Sequence, residues 1–435
     1  MKPPFTLRAT TVSFTQDPRT APIDQAMVTN SDGLIAVGAS GRIDWVGAYG
    51  HQPSHYKDLP HYDASGMIAM PGFIDAHVHF PQFRMLAAPA EHLLEWLKNF
   101  AFPEELRYAD EEVAKQTAGQ FLDLLQHHGT TSALVFATSH THSAHALLAE
   151  AERRQMAIAT SKTIMDRMAP SGLCDTPDQA FHDTEQLIER WHHRGRSQIA
   201  ITLRFAITAS EAALEVTGAL VNKHRDCLFQ THLAESPEEL ATVARQFPWA
   251  RDYSAVYERF DLLGPKSIFA HAIYLNEREQ AVLASHQARL VHCPSSNNFL
   301  GSGMFNLARF YDPKARVQIG LATDIAGGTS YSMLAMMAEA YKIARLQNIA
   351  FSVWDGFYLA TLGNARLLHL DQEIGALKPG YWADLVLLDP RATPVLQLRN
   401  SLACDLEAQL FALMMLGDDR AIKASCIAGQ FKERN

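Results

Sequence analysis

The chain has 435 residues, 47% of them hydrophobic, so it is long enough to bury a large core. Its formal net charge of −9 argues against a nucleic acid or an anionic membrane surface as partner. No apolar run approaches the roughly 18 residues that a membrane-spanning helix needs, and the N-terminal residues lack the apolar core of an export signal. The five cysteines are widely scattered, which does not suggest a disulfide framework. We therefore expect a cytoplasmic protein.

The two ends of the chain are both predicted to contain short β-strands. Short strands broken by turn residues are predicted at 27–29, 34–37 and 43–47. Near the C-terminus, residues 374–389 are predicted as a turn leading into an apolar strand, and 422–429 as another strand. Both ends together could form one small β-sandwich into which the middle of the chain is inserted. We expect residues 1–70 and 373–435 to build this sandwich and residues 71–372 to form a separate catalytic domain.

The middle of the chain alternates strand-like and helix-like segments. The apolar run at 67–75 is taken as the first strand, and seven more follow, at 132–137, 157–163, 199–205, 227–232, 267–271, 288–293 and 317–322. Helical stretches lie between them, among them 111–127, 142–154 and 178–191. Eight strands alternating with helices predict an α/β fold of the (β/α)8 TIM-barrel type.

A His-x-His pair, His77 and His79, follows the first apolar run. Residues i and i+2 of a strand point to the same face, so the two imidazoles can converge on one point. This arrangement suits a divalent metal such as zinc. A pair of histidines at a strand end that binds nothing is the alternative for an isolated motif.

Three more polar residues end later strands: His232, His271 and Asp324. Taken singly, each could be a structural strand-end or turn residue. In a parallel barrel, however, the carboxyl ends of all strands surround one pocket. The order His-x-His, His, His, Asp therefore predicts a metal centre at that end of the barrel.

These residues, in these strings, resemble the metal-dependent amidohydrolase superfamily and, within it, the guanine deaminases. The wider resemblance rests on the segment 71–79, the three strand-end residues above and the tail 375–386. The narrower one rests on the strings at 77–82, 94–97, 102–104, 204–205, 292–297, 299–305 and 324–334. The resemblance covers nearly the whole chain. One departure is Ala272, where relatives often have glycine after the histidine.

The resemblance implies one zinc ion per subunit, held by His77, His79, His232 and Asp324. His271 would orient the attacking water, and Asp324 would act both as ligand and as base. Some superfamily members bridge two metals with a carboxylated lysine on the fourth strand, but residues 199–205 contain no lysine. Lys162 on the third strand is more simply explained as structural, which favours one metal.

Deamination also needs a general acid, because a ring nitrogen must gain a proton and the amine must leave protonated. Glu235, three residues beyond His232, is the candidate; its alternative is a glutamate favoured by the helix dipole. The resemblance further implies that Gln82, Arg204 and Phe205 contact the purine, together with His79, His232, Glu235 and Asp324. The alternatives for the first three are a surface glutamine, an ion-paired arginine and a core phenylalanine.

The sequence thus predicts a zinc hydrolase that deaminates guanine to xanthine and ammonia, acting on a small purine and forming a homodimer. Close alternatives are deaminases of 8-oxoguanine, a pterin or a triazine on the same metal site. A cyclic-amide hydrolase, which would not need Glu235, and a non-catalytic scaffold of the same fold also remain open.

Overall fold

The computed structural model describes residues 1–89, 92–311, 315 and 317–434. Two compact units are present. The first comprises Met1–Asp75, Asp123–Ser132 and Ser332–Asn435, and the second comprises Ala76–Leu122 and Ala133–Tyr331. Within the described residues, none of the helices combines the length and apolar character that crossing a membrane requires.

Sixteen strands lie within the described residues. They are β1 (Phe5–Phe14), β2 (Met27–Val37), β3 (Ile43–Ala48), β4 (His61–Pro71), β5 (Phe73–His79), β6 (Thr130–Phe136), β7 (Ala157–Ser161), β8 (Thr163–Ile164), β9 (Gln198–Leu203), β10 (Leu228–Leu233), β11 (Ser267–His271), β12 (Arg289–His292), β13 (Gln318–Leu321), β14 (Leu385–Leu388), β15 (Ile422–Ile427) and β16 (Gln430–Glu433).

The α-helices of the described residues are α1 (Ile23–Ala26), α2 (Leu93–Trp96), α3 (Phe102–Leu106), α4 (Glu111–His127), α5 (Thr141–Arg154), α6 (Pro177–Trp191), α7 (Glu211–Lys223), α8 (Pro237–Gln246), α9 (Tyr253–Arg259), α10 (Glu277–Ser285), α11 (Pro294–Phe299), α12 (Leu307–Phe310), α13 (Met333–Leu346), α14 (Val353–Tyr358), α15 (Asn364–Leu367), α16 (Pro394–Asn400) and α17 (Leu406–Leu416).

Both ends of the chain contribute to one seven-stranded mixed sheet. Its order is β16-β15-β14-β4-β1-β2-β3, with β14 antiparallel to β4 and β1 parallel to β4. Side chains from strands of both termini form one apolar cluster of this sheet, including Phe5, Leu7, Ile35, Leu385 and Leu387. The prediction that the two ends form one β unit is confirmed.

Eight strands form the nearly closed parallel barrel, in the order β5-β6-β7-β9-β10-β11-β12-β13, with β8 paired to β9. Two backbone hydrogen bonds join the first strand to the segment after the last: Asp324 N donates to His77 O, and His79 N donates to Ile325 O, each at 2.9 Å. The predicted TIM-type fold is confirmed.

The start of the first barrel strand differs from the prediction. The run 67–75 is not one strand, because β4 ends at Pro71 in the terminal sheet and β5 begins at Phe73. At Gly72 an added Cβ would lie 2.2 Å from Thr131 Oγ1, so only glycine permits this close approach. Hydrophobicity alone did not reveal the break, since both strands are buried there.

The polar residues singled out above lie at or just beyond strand ends. His79 ends β5, His271 ends β11, and His232 is the penultimate residue of β10. Four residues near these ends have left-handed backbone conformations, namely Ala234, His271, Ala272 and Asp324, with φ of 51°, 68°, 50° and 49°. Such conformations are costly for residues with a Cβ and cluster at functional sites.

Candidate active site

Four buried side chains meet at the carboxyl end of the barrel. The Nε2 atoms of His77 and His79 each lie 3.3 Å from Asp324 Oδ1. Nε2 of His232 lies 3.2 Å from Nε2 of His79. One ligand atom from each of the four residues lies within 4.8 Å of the other three. The structure therefore brings together all four residues predicted to hold a metal, although their role as ligands remains a prediction.

The chemistry of this donor set fits zinc. Nδ1 of His232 donates to the carbonyl oxygen of Arg204 at 2.6 Å, which leaves the lone pair of Nε2 directed at the cluster. Burial lowers the pKa of His79 to about 4 and that of His232 well below its usual value. Both rings are therefore neutral at pH 7, as metal ligation requires.

Asp324 supplies the negative charge of the cluster. Burial acts to raise the pKa of its carboxyl, but hydrogen bonds with His77 and His79 and charge interactions with His77 and His271 outweigh it. The net result is a pKa well below the usual value. Imidazole nitrogens with one carboxylate oxygen form a common ligand set for catalytic zinc.

Glu235 lies beside this cluster and is buried. Ser302 Oγ donates to its Oε1 at 3.0 Å, and its Oε2 lies 3.5 Å from Nε2 of His271. Burial, and then the negative charge of Asp324, raise the pKa of Glu235 to about 8. The carboxyl therefore holds a proton at neutral pH, which suits a general acid.

His271 stands between the acid and the cluster. Its Nε2 lies 3.7 Å from Oδ2 of Asp324. On the other side of the ring, Nδ1 lies 2.9 Å from Oδ1 of Asn297, an acceptor that fixes the proton on Nδ1. Nε2 faces the space between Glu235 and Asp324, where a water could be oriented.

Gln82 and Arg204 form the opposite side of the site, and one buried carboxylate connects them. Glu105 accepts from Gln82 Nε2 at 2.9 Å and from Arg204 Nη1 at 2.8 Å. The ring of Phe102 lies under the guanidinium of Arg204, 5.1 Å from its Cζ. Both polar groups are thus held in place before any substrate arrives.

These residues line one cavity at the carboxyl end of the barrel. Apolar side chains close its remaining walls. The lining residues are His79, Gln82, Leu93, Trp96, Leu97, Arg204, Phe205, His232, Glu235, His271, Leu300, Asp324 and Gly327. Apart from His77, which lies behind it in the metal cluster, every predicted site residue faces this cavity.

Sequence reasoning missed three residues of the site: Glu105, Asn297 and Ser302. Asn297 and Ser302 lie inside strings that carried the family resemblance, so those strings held a signal that was not interpreted. Glu105 gave no signal, because it follows Glu104 on a helix and looks like a solvated charge. Only the folded chain reveals that Glu105 is buried and Glu104 is not.

The fold and the site define an amidohydrolase. The model of the Amidohydrolase family matches residues 68–431, and the chain belongs to this family. A guanine deaminase from Escherichia coli is 40% identical over 436 residues, covering 99% of both chains. A guanine deaminase from Rattus norvegicus is 30% identical and covers 92% of this chain and 91% of its own.

Solved structures agree with these relatives. The E. coli guanine deaminase structure superposes with a TM-score of 0.94 at 38% identity, covering 99% of this chain and all of the other. A guanine deaminase from C. acetobutylicum, solved with guanine in its active site, gives 0.88 at 26% identity and covers 98% and 99%. An Arthrobacter aurescens atrazine chlorohydrolase complexed with zinc, at 18% identity and 0.83, shares the fold alone.

Proposed function

We propose that this chain catalyses the hydrolytic deamination of guanine to xanthine and ammonia with the help of zinc. The observation that carries the proposal is a buried carboxyl with a raised pKa, Glu235, placed beside the cluster of three histidines and one aspartate in one cavity. Full-length similarity to guanine deaminases, one of them with guanine bound in its active site, supports the substrate.

We assign the metal to His77, His79, His232 and Asp324, one ion per chain. When bound, zinc acts as a Lewis acid and lowers the pKa of a water molecule toward 7. Asp324 and His271 would orient the attacking water, and Asp324 would accept its first proton. Glu235 delivers a proton to the ring nitrogen next to the attacked carbon.

In the second half of the reaction, the proton held by Asp324 passes to the amino group, which leaves as ammonia. The remaining proton of the former water is released as the carbonyl of xanthine forms, and it restores the proton that Glu235 gave to the ring nitrogen. Guanine and one water thus give xanthine and one ammonia, and no other reactant is needed.

Substrate recognition is assigned to the opposite wall of the cavity. Gln82 and Arg204 would donate to the carbonyl edge of the purine, Phe205 would cover part of its ring, and His79 and His232 would line its reacting end. Leaving a buried carbonyl without a partner costs about 1–3 kcal/mol, so such donors also provide selectivity.

The test is ammonia release from guanine by the zinc-loaded protein, measured beside 8-oxoguanine, pterin and a triazine. We expect guanine to have the highest kcat/KM. A preference for another member of this panel would move the assignment to that substrate, and no turnover of any heterocycle would support a non-catalytic scaffold.

We also propose domain limits of 1–70, 71–372 and 373–435, a cytoplasmic location and a homodimer. The apolar side chains of Val395, Leu398 and Leu402, which are 59%, 70% and 76% exposed, support self-association. Light scattering of the purified protein tests the dimer.

A further inference from the structure

Glu105 is a fully buried carboxylate that does not line the cavity itself. It lies behind the two polar residues proposed to read the substrate. Its Oε1 accepts from Gln82 Nε2 at 2.9 Å, and both of its oxygens lie 2.8 Å from Nη1 of Arg204. A single side chain on α3 thus controls the hydrogen bonding of residues from two other parts of the barrel.

The carboxylate fixes which end of the Gln82 amide faces it. A carboxylate only accepts hydrogen bonds, so the amide nitrogen must point toward Glu105. The reversed amide would place two oxygens against each other in a buried site. The amide oxygen is occupied on its own side, where the backbone N–H of Ala326 lies 3.4 Å away.

Arg204 is constrained in the same way. Nη1 is engaged by Glu105, whereas Nε and Nη2 make no hydrogen bond with any residue that the structure describes. These groups of Arg204 are donors, and Gln82 Nε2, which also lies 3.4 Å from Nδ1 of His79, is a donor as well. The wall that carries Gln82 and Arg204 therefore offers donors to a substrate and, among the described residues, no free side-chain acceptor.

We infer that Glu105 is a positioning residue that makes this wall select purines with a carbonyl, rather than an amino group, at position 6. This inference rests on the proposed function. A carbonyl oxygen accepts hydrogen bonds from the available N–H groups. An amino group would instead place its own N–H donors against them, and no hydrogen bond would form. A site built for one hydrogen-bonding partner strongly rejects an analogue that lacks it.

The experiment compares guanine with 2,6-diaminopurine, which keeps the 2-amino leaving group and replaces the 6-carbonyl by an amino group. In Glu105→Gln the side chain keeps its shape but can accept from only one of its two neighbours. The Gln82 amide can then reverse and present its oxygen to the substrate. We expect kcat/KM for guanine to fall at least tenfold, mainly through KM, and the guanine-to-diaminopurine ratio to fall at least tenfold.

Glu104→Gln is the matched control. Glu104 is the preceding residue of the same helix, and its carboxylate pairs instead with Arg107 at 2.7 Å. We expect its substrate ratio to stay within about twofold of the parent. Zinc content and thermal unfolding of both variants show whether the protein remains loaded and folded.

A merely structural role for Glu105 would lower the activity on both purines in proportion. An unchanged ratio in folded Glu105→Gln would thus overturn the inference while leaving the proposed function intact. Absence of guanine turnover by the parent protein would overturn both. A measurement of guanine turnover by the parent protein therefore distinguishes a failure of the inference from a failure of the proposed function.

A crystal structure covers the case in which Glu105→Gln does not fold. Guanine bound to zinc-loaded Glu235→Gln should place its 6-carbonyl oxygen within about 3 Å of Gln82 Nε2 or an Arg204 N–H group. A carbonyl that points to any other part of the cavity would contradict the inference.

Discussion

At the scale of the single residue, Glu235 is a group whose environment departs far from that of a free carboxyl. Burial removes the water that would stabilise its charged form, and the nearby carboxylate of Asp324 adds repulsion. The hydroxyl of Ser302 acts in the opposite direction but does not offset these two effects. The result is an acid with a pKa of about 8 next to a base whose pKa is strongly lowered, a pairing typical of acid–base catalysis.

Replacing this acid separates proton transfer from metal binding. Glu235→Gln keeps the size of the side chain and removes the transferable proton, so we expect kcat to fall about 10²–10⁴-fold. Zinc content should be unchanged, because Glu235 is outside the proposed ligand set. Retention of more than a tenth of the activity would favour a hydrolysis that needs no general acid.

The pH profile follows from the same group. Glu235 must be protonated to act, and its protonated fraction falls as the pH rises through its pKa of about 8. We expect kcat/KM for guanine to decline above this pH, by about tenfold per further unit. Initial rates between about pH 6 and pH 10, a range that brackets this pKa, test the expectation. A rate that still rises at the alkaline end would remove Glu235 from the role of acid.

At the scale of the element, the segment between β10 and α8 holds Glu235 in place. Ser236 caps α8 by accepting from Glu239 N, and the Glu239 carboxylate accepts from the backbone N–H groups of Ser236 and Glu235. Tyr253 of α9 donates to the other oxygen of Glu239 at 2.7 Å. The start of a helix thus supports the side chain that we propose as the general acid.

Removing one hydroxyl tests this support. Tyr253→Phe should lower the free energy of unfolding by about 1–2 kcal/mol, because a buried carboxylate oxygen loses its donor. We expect kcat to fall less than tenfold, since the two backbone donors to Glu239 remain. Tyr49→Phe, at an exposed ring, is the control and should change neither quantity. Equal effects of both substitutions on thermal unfolding would contradict this account.

The sequence predicts the secondary-structure elements and the strand-end residues better than it predicts the residues that hold those side chains in place. Periodicity and strand order were sufficient for His77, His79, His232, His271 and Asp324, because every parallel strand points its end into the same space. Glu105 and Asn297 come from helices, whose placement over the barrel depends on packing between distant segments. The boundary between β4 and β5 was missed for a related reason, since continuous burial hides a change of sheet.

At the scale of the whole molecule, the metal cluster joins parts of the chain that are distant in sequence. Ligands that bind only the native state stabilise it by mass action, so removing zinc should lower both activity and the unfolding temperature. We expect dialysis against a chelator to abolish guanine turnover and zinc addition to restore it. Full activity in protein shown by elemental analysis to be metal-free would exclude the proposed chemistry.

The barrel closes at a seam, where the first barrel strand, β5, meets the segment after the last barrel strand, β13. This closure has a consequence for biosynthesis. His77 and His79 lie on one side of this seam and Asp324 on the other, linked by two backbone hydrogen bonds. A nascent chain therefore has no complete ligand set until its final barrel strand has left the ribosome and docked. The proposed hydrolysis therefore becomes possible only once the last barrel strand has docked against the first.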